Sequence, residues 1–579
     1  MAQRSTTRTR ALAELMRPDA TRWVALGILL AGAAGLSLVG PLVVRRVVDQ
    51  ASRGTTTAEI TRLAAIYLII AVATQMLGVI VAWFATTIAW RTVNGVRMRM
   101  ARHVLGLDHE FHRQHTPGEL IQRVDGDVTA ISDFLGQVVP RLVSGIFVVA
   151  GMIVALALID WRIASGAAIY VGLSAAVVIR SRHRAVIESS DEMGSFARLY
   201  GGIEERLTAA EDLRSNGALD HALWRLTQDS AETMRAAVRR ESAFLRMWWA
   251  VQGCVGGGSI VALVASALLL RSDTISIGTA FLLFQYVQLL SRPLEQLVQQ
   301  LETVQKAHGA MTRVIDLMAV RATIVDNGRR SPRRGPLSVE FADVSFAYDD
   351  DERVLDRVNL FLQPGSSIGI VGRSGSGKTT MSRLVLRLVE ATTGIVKLGD
   401  VPIADISFGE LRRRVALIPQ EVELVSGSVK DNVTLFDDSI GDADVAAALY
   451  SVGLQRLVEA GIDRELGANG MGLSAGEGQL LALARVWLRQ PDLMVLDEAT
   501  ARVDPETERL LDAALGNLMR GRTTIIIAHR LSTLQHVDQI VVFDNGTVVE
   551  HGDRAALVSN PISRFQQLRE LALDSDGGR

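Results

Sequence analysis

The chain has 579 residues, 48% of them hydrophobic, and a formal net charge of −2. That length exceeds one ordinary domain, the hydrophobic share calls for a search for membrane spans, and the near-neutral charge carries no sign of a nucleic-acid partner. A single cysteine, Cys254, excludes an intrachain disulfide and a cysteine metal cluster, and its apolar surroundings read as core packing.

Residues 1–22 form a polar, arginine-bearing N-terminal segment. No cleavage site follows the first apolar run, so that run reads as a retained membrane helix rather than a signal peptide. Six apolar runs then appear: Trp23–Val44, Leu63–Trp90, Val138–Ile159, Ile163–Ile179, Met247–Leu270 and Ile277–Leu290. Each is about long enough, the fourth and sixth with their flanks, to cross ~30 Å of hydrocarbon at about 1.5 Å per residue. They predict an all-α, six-helix transmembrane domain over 23–320, embedded in a lipid bilayer.

Two polar stretches, Arg91–Gly136 and Ser181–Arg246, are arginine-rich with helical spacing. Placed in the cytoplasm, they put both termini inside by the positive-inside rule, against the minority vote of Arg45, Arg46 and Arg53 in the first external loop. No Asp, Glu, Lys or Arg lies in the middle of a span, which argues against a proton-driven carrier. Gln75, Trp83, Gln252, Gln285, Tyr286 and Gln288 could line a cavity, and each suits helix packing or the lipid interface at least as well.

A polar linker is expected over 321–337. From 338 to 579 strands alternate with helices, the pattern of an α/β domain. Ser338–Phe341 and Ser345–Ala347 lead into Tyr348; Ser367–Val371, Leu493–Leu496 and Thr524–Ala528 read as buried strands; Ile540–Phe543 and Thr547–Val549 read as a hairpin turning at Asn545-Gly546. The fold class is therefore multidomain, a helical membrane domain followed by an α/β ATPase domain of the phosphate-loop type.

The ATPase reading rests on Gly372-Arg373-Ser374-Gly375-Ser376-Gly377-Lys378-Thr379, which fits G-x-x-x-x-G-K-[ST] between a predicted strand and a predicted helix over Thr380–Leu388. Glycines let backbone N–H groups turn inward around a phosphate, a lysine neutralises the β- and γ-phosphates of ATP, and a following hydroxyl can hold Mg²⁺. Lys378 is one of only four lysines, against 57 arginines. Asp497 at a strand end can organise the metal shell, together with Thr379 and Gln420. Glu498 beside it can orient or deprotonate the attacking water. His529 can bond the γ-phosphate and hold Glu498, and Tyr348 can stack on adenine. Gln420 or His529 taken alone reads as structural; their order with the others around Lys378 carries the functional reading.

In that order the chain resembles the ATP-binding cassette family, specifically exporter-type half-transporters, over roughly residues 20 to 570. Gly372–Thr379, with Thr380, resembles Walker A, Val495–Glu498 the end of Walker B, Gln420 the Q-loop, His529 the switch histidine and Tyr348 the A-loop aromatic. Leu473-Ser474-Ala475-Gly476-Glu477 resembles the signature motif, with Ala475 and Glu477 in place of a glycine and a glutamine. Ala501-Arg502-Val503-Asp504 stands where the D-loop is expected, and only its aspartate matches. Thr116–Arg123, with Asp125 and Asp127, resembles the first coupling loop, and Ile277–Leu294 the last membrane helix.

The resemblance implies ATP and Mg²⁺ as ligands, with Ser474 and Gly476 facing a nucleotide held by a second half-transporter. It implies ATP-driven export of an amphipathic small molecule across the plasma membrane, with the ATPase domain in the cytoplasm. Uptake, for example of a siderophore, is the alternative. The altered signature against an intact Lys378, Gln420, Asp497, Glu498 and His529 leads us to expect a heterodimer with unequal ATP sites. Glu477 is expected to add negative charge near the γ-phosphate.

Overall fold

The computed structural model describes residues 19–54, 56–272, 274–348, 353–420, 422–467, 473–497, 505–528 and 531–576. The chain divides into two units, Met1–Leu107 with His115–Arg321, and Asp108–Gln114 with Ala322–Arg579. The principal helices of the first 321 residues are α1 (Ala20–Ser52), α2 (Thr57–Leu105), α3 (His109–Gln114), α4 (Pro117–Ala157), α5 (Trp161–Thr208), α6 (Leu219–Arg271), α7 (Ile277–Gln299) and α8 (Leu301–Ala319). Of these, α3 belongs to the second unit.

Helix starts follow local chemistry. Thr116 accepts from the Glu119 N–H at 3.3 Å, with Pro117 in the first turn of α4. Asp160 accepts from the Arg162 N–H at 2.7 Å and so opens α5 at the predicted break between two apolar runs. Among the described residues five helical segments are long and apolar enough to cross a bilayer: Ala20–Ser52, Thr57–Leu105, Pro117–Ala157, Trp161–Ser181 and Leu219–Arg271. The sixth apolar run lies in α7, where Gln285, Gln288, Arg292 and Glu295 dilute it.

Apart from α3 and a short helix over Ala210–Ser215, the polar stretches continue the membrane helices. The extensions of α5 and α6 run antiparallel and are laced by Arg206–Asp229 at 3.0 Å, Arg198–Glu232 at 2.7 Å and Arg240–Glu192 at 2.9 Å. Such pairs contribute about 0.2–1 kcal/mol each, so they set register more than stability.

Two carboxylates join helices distant in sequence. Asp49, near the end of α1, accepts from the Gly278 N–H at 2.8 Å and from Ser276 Oγ at 2.9 Å, capping α7. A side chain at position 278 would collide with the Arg45 carbonyl, so the close approach needs glycine. Asp127, 3% exposed, accepts from Arg313 Nε at 2.8 Å and Nη2 at 2.5 Å, tying α4 to α8. This bidentate pair holds the Arg313 guanidinium above its ordinary pKa. Of the cavity candidates, Tyr286 donates to the Leu38 carbonyl at 3.3 Å and lines a cavity of about 470 Å³ with Met152, Tyr170 and Leu283, while Gln252 donates to Glu295 at 3.4 Å.

The second unit is built on strands β1 (Val339–Ala347), β2 (Arg353–Leu362), β3 (Ser367–Gly372), β4 (Thr393–Leu398), β5 (Val401–Pro402), β6 (Val415–Ile418), β7 (Gly427–Ser428), β8 (Glu465–Leu466), β9 (Leu493–Asp497), β10 (Thr523–Ile527), β11 (Gln539–Asp544) and β12 (Thr547–Asp553). Helices α9 (Lys378–Val385) and α10 (Ala475–Arg489) carry the motifs discussed below. One sheet has the order β2-β1-β4-β5, and a six-stranded sheet has the order β12-β11-β3-β10-β9-β6. The two short strands predicted before Tyr348 are one strand, β1, whose pairing shifts register between Phe341 and Val344. The β11–β12 hairpin turns at Asn545 and Gly546, both at positive φ, as a tight primed turn requires.

Strand alternation builds two cores, one on each face of the six-stranded sheet. Met494, Leu496 and Ile526 pack with Leu480, Leu483 and Leu511 on one face. Leu493, Val495 and Ile527 pack with Val339, Leu360 and Leu384 on the other.

Arg313→Ala strands a buried carboxylate and is expected to lower stability by about 2 kcal/mol. The check is the thermal unfolding midpoint in detergent, where Asp127→Asn combined with Arg313→Ala should recover part of the loss.

Candidate functional site

The site grows from the parallel part of the six-stranded sheet. β10 pairs in register with β3 (Ile527 against Ile370) and with β9 (Ile527 against Asp497), and β9 pairs with β6 (Leu496 against Ile418). Because these strands run the same way, their C-terminal ends share one edge. Gly372 closes β3 there, Asp497 closes β9, and Gln420 lies exposed two residues past β6. A loop leaving the carboxyl edge of a parallel sheet and entering a helix is the place where such folds bind ligands.

Between β3 and α9, Arg373, Ser374 and Gly375 are exposed, while Ser376, Gly377, Lys378 and Thr380 are buried and Thr379 faces outward. Gly377 has φ of 101° and lies against Leu355 and the Val354 carbonyl, so a side chain there would be strained and obstructed. Lys378 is 4% exposed and donates to the carbonyls of Gly372 and Arg373, each at 2.8 Å, which holds the loop curled. Ser376 Oγ is buried with no hydrogen-bond partner among the described residues. A curled, glycine-bearing loop with an orphaned hydroxyl at a helix N-terminus fits an anionic phosphate. The donor set of Thr379, Asp497 and Gln420 is oxygen-only, which fits Mg²⁺. Glu498, His529 and Ala501–Asp504 lie outside the described residues.

Tyr348, just past β1, is half-buried and meets Phe346 edge to face at 4.8 Å. Its hydroxyl accepts from Arg383 Nη1 at 2.7 Å and lies 3.3 Å from Thr380 Oγ1. The Arg113 guanidinium, from α3, sits 5.0 Å from the Tyr348 ring centre, and Arg383 sits 5.9 Å from it. Glu110 grips Arg113 at 2.9 and 2.7 Å, which holds the carboxyl below its usual range. Burial, then Arg383, pushes His109 of α3 below the ordinary imidazole range. Asp108 accepts from the Thr323 N–H and from its hydroxyl, the latter at 2.8 Å. Sequence reasoning missed Arg113 and Arg383, because neither lies in a motif and α3 is more than two hundred residues from Tyr348 in the chain.

At the start of α10, Ser474 is the N-cap and Glu477 the third residue of the helix. Ser474 Oγ accepts from the Glu477 N–H at 3.2 Å, and Glu477 Oε2 accepts from the Ser474 N–H at 2.8 Å, a reciprocal capping box. The other carboxylate oxygen pairs with Arg456. Ser474 and Ala475 are exposed and Gly476 is buried. The expected repulsive charge of Glu477 is therefore turned back onto its own helix and matched by Arg456.

Comparison with known proteins agrees with this architecture. Residues 23–294 match the ABC transporter transmembrane region, and residues 355–501 match the ABC transporter family. The ATP-dependent lipid A-core flippase of Bordetella pertussis is 30% identical over 491 residues, 83% of this chain and 77% of that protein. The chain belongs to the ATP-binding cassette transporter family. It is also 29% identical to the ABC transporter ATP-binding protein exp8 of Streptococcus pneumoniae, over 93% of this chain and 92% of that protein. The lipid A-core flippase of Pseudoalteromonas atlantica is 27% identical over 95% of each chain. The chain is thus an exporter-type half-transporter, a membrane protein that binds nucleotide, hydrolyses ATP to drive transport, and works in a dimer.

Glu477→Ala removes the carboxylate's half of the capping box, its bond to the Ser474 N–H, together with the Arg456 pair, and should cost about 1 kcal/mol. Glu477→Gln keeps the cap and should cost far less. Equal drops in melting temperature for the two variants would assign the effect to the charge alone.

Proposed function

We propose that this half-transporter exports an amphipathic, lipid-like small molecule across the plasma membrane, pairing with a different half-transporter and holding its ATPase unit in the cytoplasm. The observation that carries the ATPase half is the shared edge of β3, β9 and β6, which presents the lysine loop, Asp497 and Gln420 together. Spans without mid-membrane charge favour an apolar or amphipathic cargo over a small ion. The lipid A-core flippase names of several relatives point the same way. The arginine-rich extensions of α2, α5 and α6 favour a cytoplasmic placement.

In this reading the phosphates of ATP enter the curled loop. Lys378 exchanges the carbonyls of Gly372 and Arg373 for the β- and γ-phosphate oxygens, and the N–H groups of Gly375 to Thr380 complete the cradle. Thr379, Asp497 and Gln420 would hold Mg²⁺, which neutralises phosphate charge when bound. Glu498 would orient or deprotonate the water, His529 would steady Glu498 against the γ-phosphate, and Tyr348 would stack on adenine. Ser474 and Gly476 would face the partner's nucleotide.

Glu498→Gln should retain ATP binding and lower turnover by ~10²-fold or more, the scale of lost general-base assistance. Turnover in nanodiscs at the parental rate would remove Glu498 from the catalytic set.

The heterodimer reading rests on the signature. The positive end of α10 is compensated internally by Glu477, which accepts from the Ser474 N–H while Ser474 Oγ accepts from the Glu477 N–H. Ala475 adds a methyl group where phosphate would approach. A nucleotide site completed by this surface should hydrolyse poorly. Purified alone, the chain should show little ATPase activity; with its true partner, activity should depend on Glu498 much more than on the equivalent carboxylate of the partner. A homodimer with full, substrate-stimulated turnover would overturn the pairing.

A further inference from the structure

We propose that Arg113 competes with adenine for the face of Tyr348 that it covers, so that the base must displace the Arg113 guanidinium in order to bind. The inference rests on the reading of Tyr348 as the adenine platform.

The geometry is specific. The Arg113 guanidinium stands 5.0 Å from the Tyr348 ring centre. A base stacked between the two would need about 3.5 Å on each side, roughly 7 Å in all. Adenine and Arg113 at its present position therefore exclude one another on that face. The ring cannot turn aside to relieve the conflict. Its hydroxyl is held by Arg383 at 2.7 Å, and its edge rests on Phe346 at 4.8 Å. Arg113 also donates two bonds to Glu110 one turn earlier, so a base that displaces it disturbs that ion pair as well as the ring contact. α3 is tethered to the same unit at its start by Asp108 on Thr323. Only His115 and Thr116 separate its end from α4. Arg113 is thus a positioning residue whose place on the ring depends on whether the base is bound.

The competition acts on the base and not on the phosphates, and that distinction gives the test. Full-length protein in nanodiscs, with its partner if one is required, is titrated with MgADP and with magnesium pyrophosphate by displacement of a fluorescent nucleotide. Neither ligand is turned over. Arg113→Ala should tighten ADP roughly 3- to 10-fold and leave pyrophosphate unchanged. Arg113→Lys, which keeps a cation at the ring, should fall between; Arg113→Gln serves if the alanine variant does not fold. Glu110→Gln, which loosens the grip on Arg113, should shift ADP in the same direction by less. Unchanged or weakened ADP binding in Arg113→Ala would overturn the proposal, as would an equal shift for pyrophosphate. Tyr348→Ala separates the two layers of the argument. If it lowers the ADP-to-pyrophosphate preference while Arg113→Ala does not raise it, the platform stands and the competition fails. If Tyr348→Ala leaves that preference intact, the platform reading fails and the competition falls with it.

Discussion

The register of β3 between β10 and β11 is the constraint on which the ATPase unit depends. β3 has a strand on each side, and its start is pinned as well. Ser367 donates through its N–H and its hydroxyl to Asp538, both at 2.8 Å, and Thr523 Oγ1 accepts from the Gly365 N–H at 2.9 Å. A slip of one residue would move the phosphate loop by about 3.3 Å along the edge and turn Ile368 and Ile370 to the wrong core. The loop has few contacts that could correct such an error, so its position relative to Asp497 is inherited from the buried strands.

Much of this was legible in the sequence because it is local. The strand before Gly372, the presence of a helix after the phosphate loop (read from Thr380, found from Lys378), the Asn545-Gly546 turn and the break at Asp160 each follow from a few adjacent residues. The phosphate loop has a fixed spacing that only one stretch of this chain satisfies. The long apolar runs mark spans for the same reason: hydrocarbon thickness demands consecutive apolar residues.

What escaped was long-range or depended on backbone phase. The pairs Asp127–Arg313, Asp49–Gly278 and Arg113–Tyr348 join residues with no sequence relation. Within α4, π-helical turns over Gln122–Asp127 and Phe134–Val138 shift the helical phase, so a 3.6-residue count drawn through them assigns faces incorrectly. The direction of the Glu477 carboxylate escaped for a related reason. Its charge was legible, but the direction of its carboxylate was set by Ser474 three residues back and by Arg456 on another element. A departure from a familiar motif can be absorbed by the helix that carries it, and here the substitution completes a capping box.

The clasp of Asp49 on the first turn of α7 has a mechanical consequence. Its far end continues through Gln300 into α8, where Arg313 is bolted to Asp127 of α4. α7 and α8 therefore act as an axle with a bearing at each end, one on the first span and one on the third. Such an axle passes a twist or a thrust from one end to the other but resists tilting away from either mount. α5 and α6, joined by their arginine–carboxylate pairs, share a buried core with α7 through Val178, Met247 and Leu290 and so follow that axle.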